Sequence, residues 1–289
     1  MKYTKKVIRY RIIVYLLVIF VFLLFLFFNN YFKTREYFEQ NINFTAITYE
    51  NSLTPTNTEN LKILFENGGY NYKIVGKNEK WDGWYGRLTE YAKEIDKIYN
   101  SNNKHYVLLC DGRDVVINEK YDIFIKKAIE LYNKNNKTII FGAERHCCLG
   151  NHGVNSDDKY KNIMRDIAKD KTKNDYYYLN FGLIFGRVSD IKTLFEILNI
   201  QPGDTDQSLA VVEFCNNPHK YSLDYEQELF SNNSGECKLE WDFSLNKFKN
   251  TNTNTYPSIL HFPGGNYDCY KECAKKLFID IDSEPNFYN

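Results

Sequence analysis

Tyr106-Val107-Leu108-Leu109-Cys110-Asp111-Gly112-Arg113-Asp114-Val115-Val116-Ile117 is the stretch on which the fold turns. An apolar run is cut by two acids and an arginine, then resumes. Tyr106 to Cys110 reads as a strand. On its N-terminal side, Leu88, Tyr91, Ala92, Ile95 and Ile98 recur at helical spacing within Tyr85–Tyr99. On its C-terminal side, Ile123, Phe124, Ala128, Ile129 and Leu131 predict a helix over 120–132, and Thr138 to Phe141 another strand. Further upstream, Phe44–Tyr49 and Tyr72–Val75 read as strands. Between them a helix is expected over 59–66, capped by Thr58 and ended by Gly68-Gly69. Strands alternating with helices predict an α/β fold, a mostly parallel sheet flanked by helices. In such sheets ligands sit beyond the carboxyl ends of the strands. Asp111 and Asp114 fall there, on a turn that Gly112 lets close tightly.

Two acids three residues apart can point oxygens into one small volume, where they repel unless something neutralises them. A divalent cation does so, and hard oxygen donors suit Mg²⁺ or Mn²⁺. The same spacing also fits an Asx-type turn with solvated acids. Asp204-Thr205-Asp206-Gln207 follows Pro202-Gly203 and opens a helix expected over 206–215, where acids also serve as cap and dipole partners. His261 ends an apolar strand expected over 258–261 and precedes Phe262-Pro263-Gly264-Gly265. A lone histidine is more often structural, but a histidine, a tight turn and glycines beyond a strand end suit a metal–diphosphate site. Glu144 follows the fourth strand at the same end of the sheet as Asp111, either there or as a solvated loop acid. The second half is less regular: a strand over 183–185, helices over 189–198 and 266–278, and a polar surface loop at Lys249–Thr255.

Lys+Arg and Asp+Glu are both 37 among 289 residues, so the basic excess of a nucleic-acid binder is missing. Hydrophobic content of 43% supplies a core and excludes a disordered composition. Ile12 to Phe28 is 17 residues without a charge, preceded by Lys2, Lys5, Lys6, Arg9 and Arg11. A helix of that length spans about 25 Å against a bilayer core of roughly 27–30 Å. The basic flank places the N-terminus in the cytosol. No small-residue cleavage site follows, which favours a retained signal anchor over a cleaved signal peptide. The expected order is a cytosolic tail (1–11), a transmembrane helix (12–28), a stalk (29–42), one α/β domain (43–280) and a short tail (281–289). The protein then reads as a single-pass type II membrane protein facing the ER or Golgi lumen, where disulfides form. Its seven cysteines are odd in number and match no zinc framework, and Cys110 is expected as a buried thiol. Sequons begin at Asn43, Asn136 and Asn232.

Several short motifs occur in order. They are Asn71-Tyr72-Lys73-Ile74-Val75-Gly76 with Trp81, then the Asp111–Asp114 stretch, then Gly142-Ala143-Glu144 with Cys147. Tyr178-Leu179-Asn180-Phe181-Gly182 and Asp204–Gln207 follow, then Leu223-Asp224 with Leu229-Phe230, and Ile259-Leu260-His261 with Gly264. In order and spacing this series resembles the glycosyltransferase domain of the procollagen lysyl hydroxylase/glycosyltransferase family, and more distantly the collagen galactosyltransferases. The resemblance runs from about Phe44 to Tyr267. It implies a GT-A-type, Rossmann-like fold, a UDP-sugar donor and Mn²⁺, with Mg²⁺ as the substitute. Asp111, Asp114 and His261 would hold the metal. Thr48 and Trp81 would contact the nucleoside, with Arg113 beside them and Gly264 at the late turn. Glu144, Asn180, Asp204 and Asp206 would line the donor-sugar and acceptor side, Asp204 or Asp206 taking the acceptor proton. The reaction implied is transfer of glucose or galactose to a protein, with hydroxylysine or galactosyl-hydroxylysine of collagen-like chains as one acceptor and another protein or glycan as the other.

The sequence also departs from that pattern. Arg113 stands where the family carries an aromatic, and Cys148 where it carries a Trp. The loop after Trp81 is short, with Tyr85 at the family's Lys, and Pro263 and Tyr267 replace an Asn and a Lys. These changes keep two other readings open: a catalytically silent anchored binding module, and a UDP-sugar hydrolase. None of the five histidines forms a His-x-Asp or His-x-Glu pair, so Fe(II) hydroxylase chemistry is not expected.

Overall fold

The computed structural model describes Leu17 and residues 19–25, 42–52, 57–147, 158–264 and 266–277. The chain divides into two compact units, Met1–Ile42 and Asn43–Asn289. In the first, the described residues of the 12–28 run are helical and exposed. The rest of that run, the 1–11 tail, the 29–42 stalk except Ile42, and 281–289 lie outside the described residues. No described helix is long and apolar enough to cross a membrane.

The second unit is built on a six-stranded sheet. Its strands are β1 (Phe44–Tyr49), β2 (Tyr72–Val75), β3 (Tyr106–Cys110), β5 (Ile139–Glu144), β6 (Tyr178–Arg187) and β7 (Tyr221–Asp224), in the order β2-β1-β3-β6-β5-β7. Only β6 runs antiparallel to its neighbours. β1, β3 and β5 are apolar almost throughout because helices cover both faces. On one face, Phe44 and Phe185 pack on Phe124 of α3 (Tyr121–Asn135), with ring centroids 5.6 and 5.8 Å apart. On the other, Ile47, Val107, Leu109 and Ile184 share a core with α2 (Gly83–Ser101), α4 (Asp158–Ala168) and α5 (Val188–Leu198). The buried stripe of α2 is Arg87, Leu88, Tyr91, Glu94, Ile95 and Ile98. These positions recur at helical spacing, and a charged residue heads them.

A smaller sheet, β4 (Val115–Ile117), β11 (Ile259–His261) and β8 (Phe230–Asn232), is ordered β4-β11-β8. Only Asp111–Asp114 separates β3 from β4, so the acidic turn carries the chain from the large sheet to the small one. β9 (Leu239–Asp242) and β10 (Lys247–Asn250) form a hairpin.

Several elements differ from expectation. β6 is a ten-residue strand, and β4 and β7 to β10 were not anticipated. The first helix, α1 (Asn57–Gly68), starts earlier; the Thr58 hydroxyl, expected as its cap, instead donates to Glu50 Oε2 at 2.7 Å. Glu144 is no loop acid: it closes β5 and is 4% exposed.

Cys110 is a buried free thiol, and Cys237 is disulfide-bonded to Cys269, 32 residues away. The bond ties the segment before β9 to the C-terminal helix (Tyr267–Lys276). Closing a loop of that length stabilises by about 3–4 kcal/mol. Reduction under native conditions is expected to lower the urea midpoint accordingly, and an unchanged midpoint would show the bond to be energetically idle.

Candidate metal centre and donor site

Backbone pairing brings Asp111, Asp114 and His261 to one point. The Asp111 N–H bonds to the Gly182 carbonyl of β6 at 2.9 Å. β11 lies between β4 and β8, pairing His261 with Val115 on one side and Asn232 on the other. The Phe262 N–H reaches the Asp114 carbonyl at 2.9 Å, fixing His261 beside that acid. His261 Nε2 then lies 3.4 Å from Asp111 Oδ2 and 3.5 Å from Asp114 Oδ2. Potential ligand atoms of the three residues all fall within 4.8 Å of one another.

These residues fit a divalent cation on two observations. His261 is 1% exposed, yet its Nε2 has no hydrogen-bond partner. A buried nitrogen facing two carboxylates is costly unless a proton or a metal cation lies between them. Space is also kept open: a Cβ on Gly182 would lie 2.7 Å from Asp111 Oδ2 and 3.0 Å from His261 Nε2. An imidazole among oxygen donors suits Mn²⁺ better than Mg²⁺. Gly182→Ala deletes no polar group but fills that space. Overpacking of this kind costs about 1–3 kcal/mol, so a Mn²⁺ affinity roughly 10–100-fold weaker is expected. Unaltered affinity would place the cation elsewhere.

Without a cation, protons do its work. Burial by itself would lower the His261 pKa, but Asp114 and Asp111 outweigh it and raise the imidazole to about 10. Burial would raise the Asp111 pKa, but Arg87 and His261 hold it below the ordinary carboxylate range. Because the folded His261 pKa lies above its unfolded value, its stabilisation is complete below about pH 6.5 and is lost as pH rises through about 10. The melting temperature of metal-free protein is expected to fall across that window, and His261→Asn to flatten the slope. Cation binding must displace the same proton, so affinity rises with pH in this range. A pH-independent affinity would contradict the assignment.

Arg87 extends the cluster toward Asp206. It is 6% exposed. Its Nη1 pairs with Asp111 Oδ1, and its Nη2 lies 2.5 Å from Asp206 Oδ2. The Trp84 ring covers the guanidinium at 4.6 Å. Asp206 opens α6 (Asp206–Asn216), and its Oδ1 accepts the Gln207 N–H at 2.7 Å. Gln207 in turn donates to Glu144 Oε1 at 2.9 Å and accepts the Phe181 N–H at 3.2 Å. Burial pushes the Glu144 carboxyl up to about 7, against the lowering effect of bonds from Asn180 and Gln207. Asn180 Oδ1 accepts the Gly182 N–H at 2.9 Å. The structure thus joins Asp111, Asp206, Glu144 and Asn180 through Arg87 and Gln207. Asp204 sits in the turn before α6, where its carboxylate accepts the Gln201 N–H at 2.9 Å.

On the β1 side, Thr48 is buried beneath the acidic turn, and its hydroxyl has no hydrogen-bond partner. A Cβ on Gly112 would lie 2.9 Å from that hydroxyl and 2.7 Å from Thr58 Oγ1. Arg113 turns to Glu50, with Nε–Oε2 3.0 Å and Nη2–Oε1 2.6 Å. Trp81 is 43% exposed, edge-on to Tyr49 at 5.9 Å and to Trp84 at 5.5 Å. Gly264, at φ +73°, has open space where a Cβ would stand.

Sequence reasoning missed Arg87, Glu50 and Asn232. Arg87 carried a signal, an arginine in register with an apolar stripe. Glu50 is 63 residues from the arginine it holds, and nothing local announces that pair.

The fold is a mostly parallel α/β sheet with its acid-bearing turn at the carboxyl edge. The chain belongs to the family described as the PLOD GT domain, whose model matches residues 58–270. Among solved structures, one similar chain is a glycosyltransferase involved in glycosylation of the major capsid of PBCV-1. It is 13% identical, with TM-score 0.47, covering 82% of this chain and 100% of that one. Another is the apo WbbM bifunctional glycosyltransferase, 11% identical, with TM-score 0.43, covering 81% of this chain and 50% of that one. No match was found among curated proteins.

Proposed function

We propose that the protein transfers a hexose from a UDP-sugar to a protein or glycan acceptor, with Mn²⁺ held by Asp111, Asp114 and His261. The observation that carries this reading is the convergence of those three side chains around a partnerless His261 Nε2 inside a glycosyltransferase-family domain. A bound divalent cation supplies charge neutralisation for the diphosphate and for the departing UDP. Arg87 adds a permanent positive charge next to it and holds Asp206 in place. Trp81 offers an exposed ring for the nucleoside, and Thr48 and Arg113 flank it on the β1 side. Glu144, its carboxyl pushed up by burial to about 7, and Asn180 hold sugar hydroxyls. Asp204 or Asp206 takes the acceptor proton; Asp206 is held by Arg87 and the Gln207 N–H, and Asp204 by the Gln201 N–H.

In this reading the 12–28 run anchors the chain and its body faces a secretory lumen. The Cys237–Cys269 bond and the exposed sequon residues Asn43 and Asn136 support that side of the membrane. Hydroxylysine or galactosyl-hydroxylysine of collagen-like chains is one acceptor class. The test is UDP release from UDP-glucose and UDP-galactose, with Mn²⁺ or with chelator, with and without hydroxylysine peptides. Metal-dependent release stimulated by an acceptor supports transfer. Release indifferent to acceptor would make the protein a hydrolase. No release from either donor would make it a silent module.

A further inference from the structure

Asn232 ends β8 and is fully buried. Its carboxamide makes two bonds whose chemistry fixes its orientation. Nδ2 lies 3.0 Å from the Ala143 carbonyl, and Oδ1 lies 2.7 Å from His261 Nδ1. A carbonyl oxygen only accepts, so the amide nitrogen must face Ala143 and the amide oxygen must face His261. His261 Nδ1 therefore carries the hydrogen. The ring atom left to present a lone pair is Nε2, the atom aimed at Asp111 and Asp114.

The amide is held on its other sides too. The Asn232 N–H donates to Gln227 Oε1 at 2.9 Å, and Gln227 Nε2 donates to the same Ala143 carbonyl at 2.9 Å. β5 makes room for it at Gly142, where a Cβ would come 2.5 Å from Asn232 Nδ2 and where the β5–β6 register shifts.

We propose that Asn232 is a positioning residue for the cation site. It locks the His261 tautomer and ring plane, and ties both to the end of β5 that carries Glu144. The inference rests on the metal reading above. It also bears on the sequon Asn232-Asn233-Ser234: both carboxamide atoms are committed inside the fold, so the folded protein is not glycosylated at Asn232.

The test compares Asn232→Leu with Asn232→Asp in the full chain in detergent. Mn²⁺ affinity is read from the free-ion paramagnetic resonance signal, and stability from thermal melting. Leu keeps the volume but cannot accept the Nδ1 hydrogen; a loss of about 10–100-fold in Mn²⁺ affinity is expected. Asp keeps the acceptor but sets a carboxylate oxygen against the Ala143 carbonyl. It is expected to melt lower than Leu and yet bind Mn²⁺ more tightly than Leu. A purely structural asparagine gives the opposite order, with affinity following stability. Leu binding as well as wild type, or Asp binding worse than Leu, would overturn the proposal while leaving the metal reading intact. A wild-type protein that binds no Mn²⁺ would overturn both.

Discussion

Asp114→Ala is expected to abolish Mn²⁺-dependent UDP binding, to lower kcat/KM by roughly 10²–10³, and to leave the fold in place. The Asp114 carboxylate faces His261 Nε2 at 3.5 Å. Its backbone carbonyl, which truncation leaves alone, accepts the Phe262 N–H and preserves the turn. Asp111 is the less clean position, because its carboxylate also pairs with buried Arg87. Circular dichroism and thermal melting check the fold, and calorimetry checks the binding. A well-folded Asp114→Ala protein with unchanged nucleotide affinity would remove the acidic turn from the metal site.

Arg87→Leu is expected to have the second large effect, on stability and activity together. The guanidinium bridges two acids, and Asp206 is 2% exposed. Burial raises the Asp206 pKa even with Arg87 beside it. Removing one partner of such a buried pair costs about 3–5 kcal/mol, because the other charge is left unpaired, whereas replacing both with apolar groups is often nearly neutral. Urea unfolding is therefore expected to show a large loss for Arg87→Leu and partial recovery in Arg87→Leu/Asp206→Leu. Activity stays lost in the double variant. Equal destabilisation in the single and double variants would show that the pair is not coupled.

The first half of the fold was legible because its signals are local. Leu88, Tyr91, Ile95 and Ile98 repeat at helical spacing, and β1 and β3 are short apolar runs bounded by polar residues. The Asp111, Asp114 and His261 cluster was legible through the acid–glycine turn and the histidine at the end of an apolar run. The second half hid for physical reasons. β6 carries Asn180 and Gly182 in its middle, which break an apolar pattern; the Asn180 amide oxygen accepts the Gly182 N–H, and a Cβ on Gly182 would crowd Asp111 and His261. β4 and β8 are three residues each, too short to show a period. Asn232 read as part of a glycosylation sequon. Only the long-range pairing of β8 with β11 reveals that its amide faces His261.

The central claim is that this domain binds a nucleotide diphosphate through a cation held by Asp111, Asp114 and His261. Its most direct test is a calorimetric titration of UDP into the full chain in detergent, once with Mn²⁺ and once with chelator, repeated in buffers of different ionisation enthalpy. The account predicts binding that requires Mn²⁺, with proton release when the ion enters at neutral pH. Equal UDP affinity with Mn²⁺ and with chelator, or no binding in either, would contradict it.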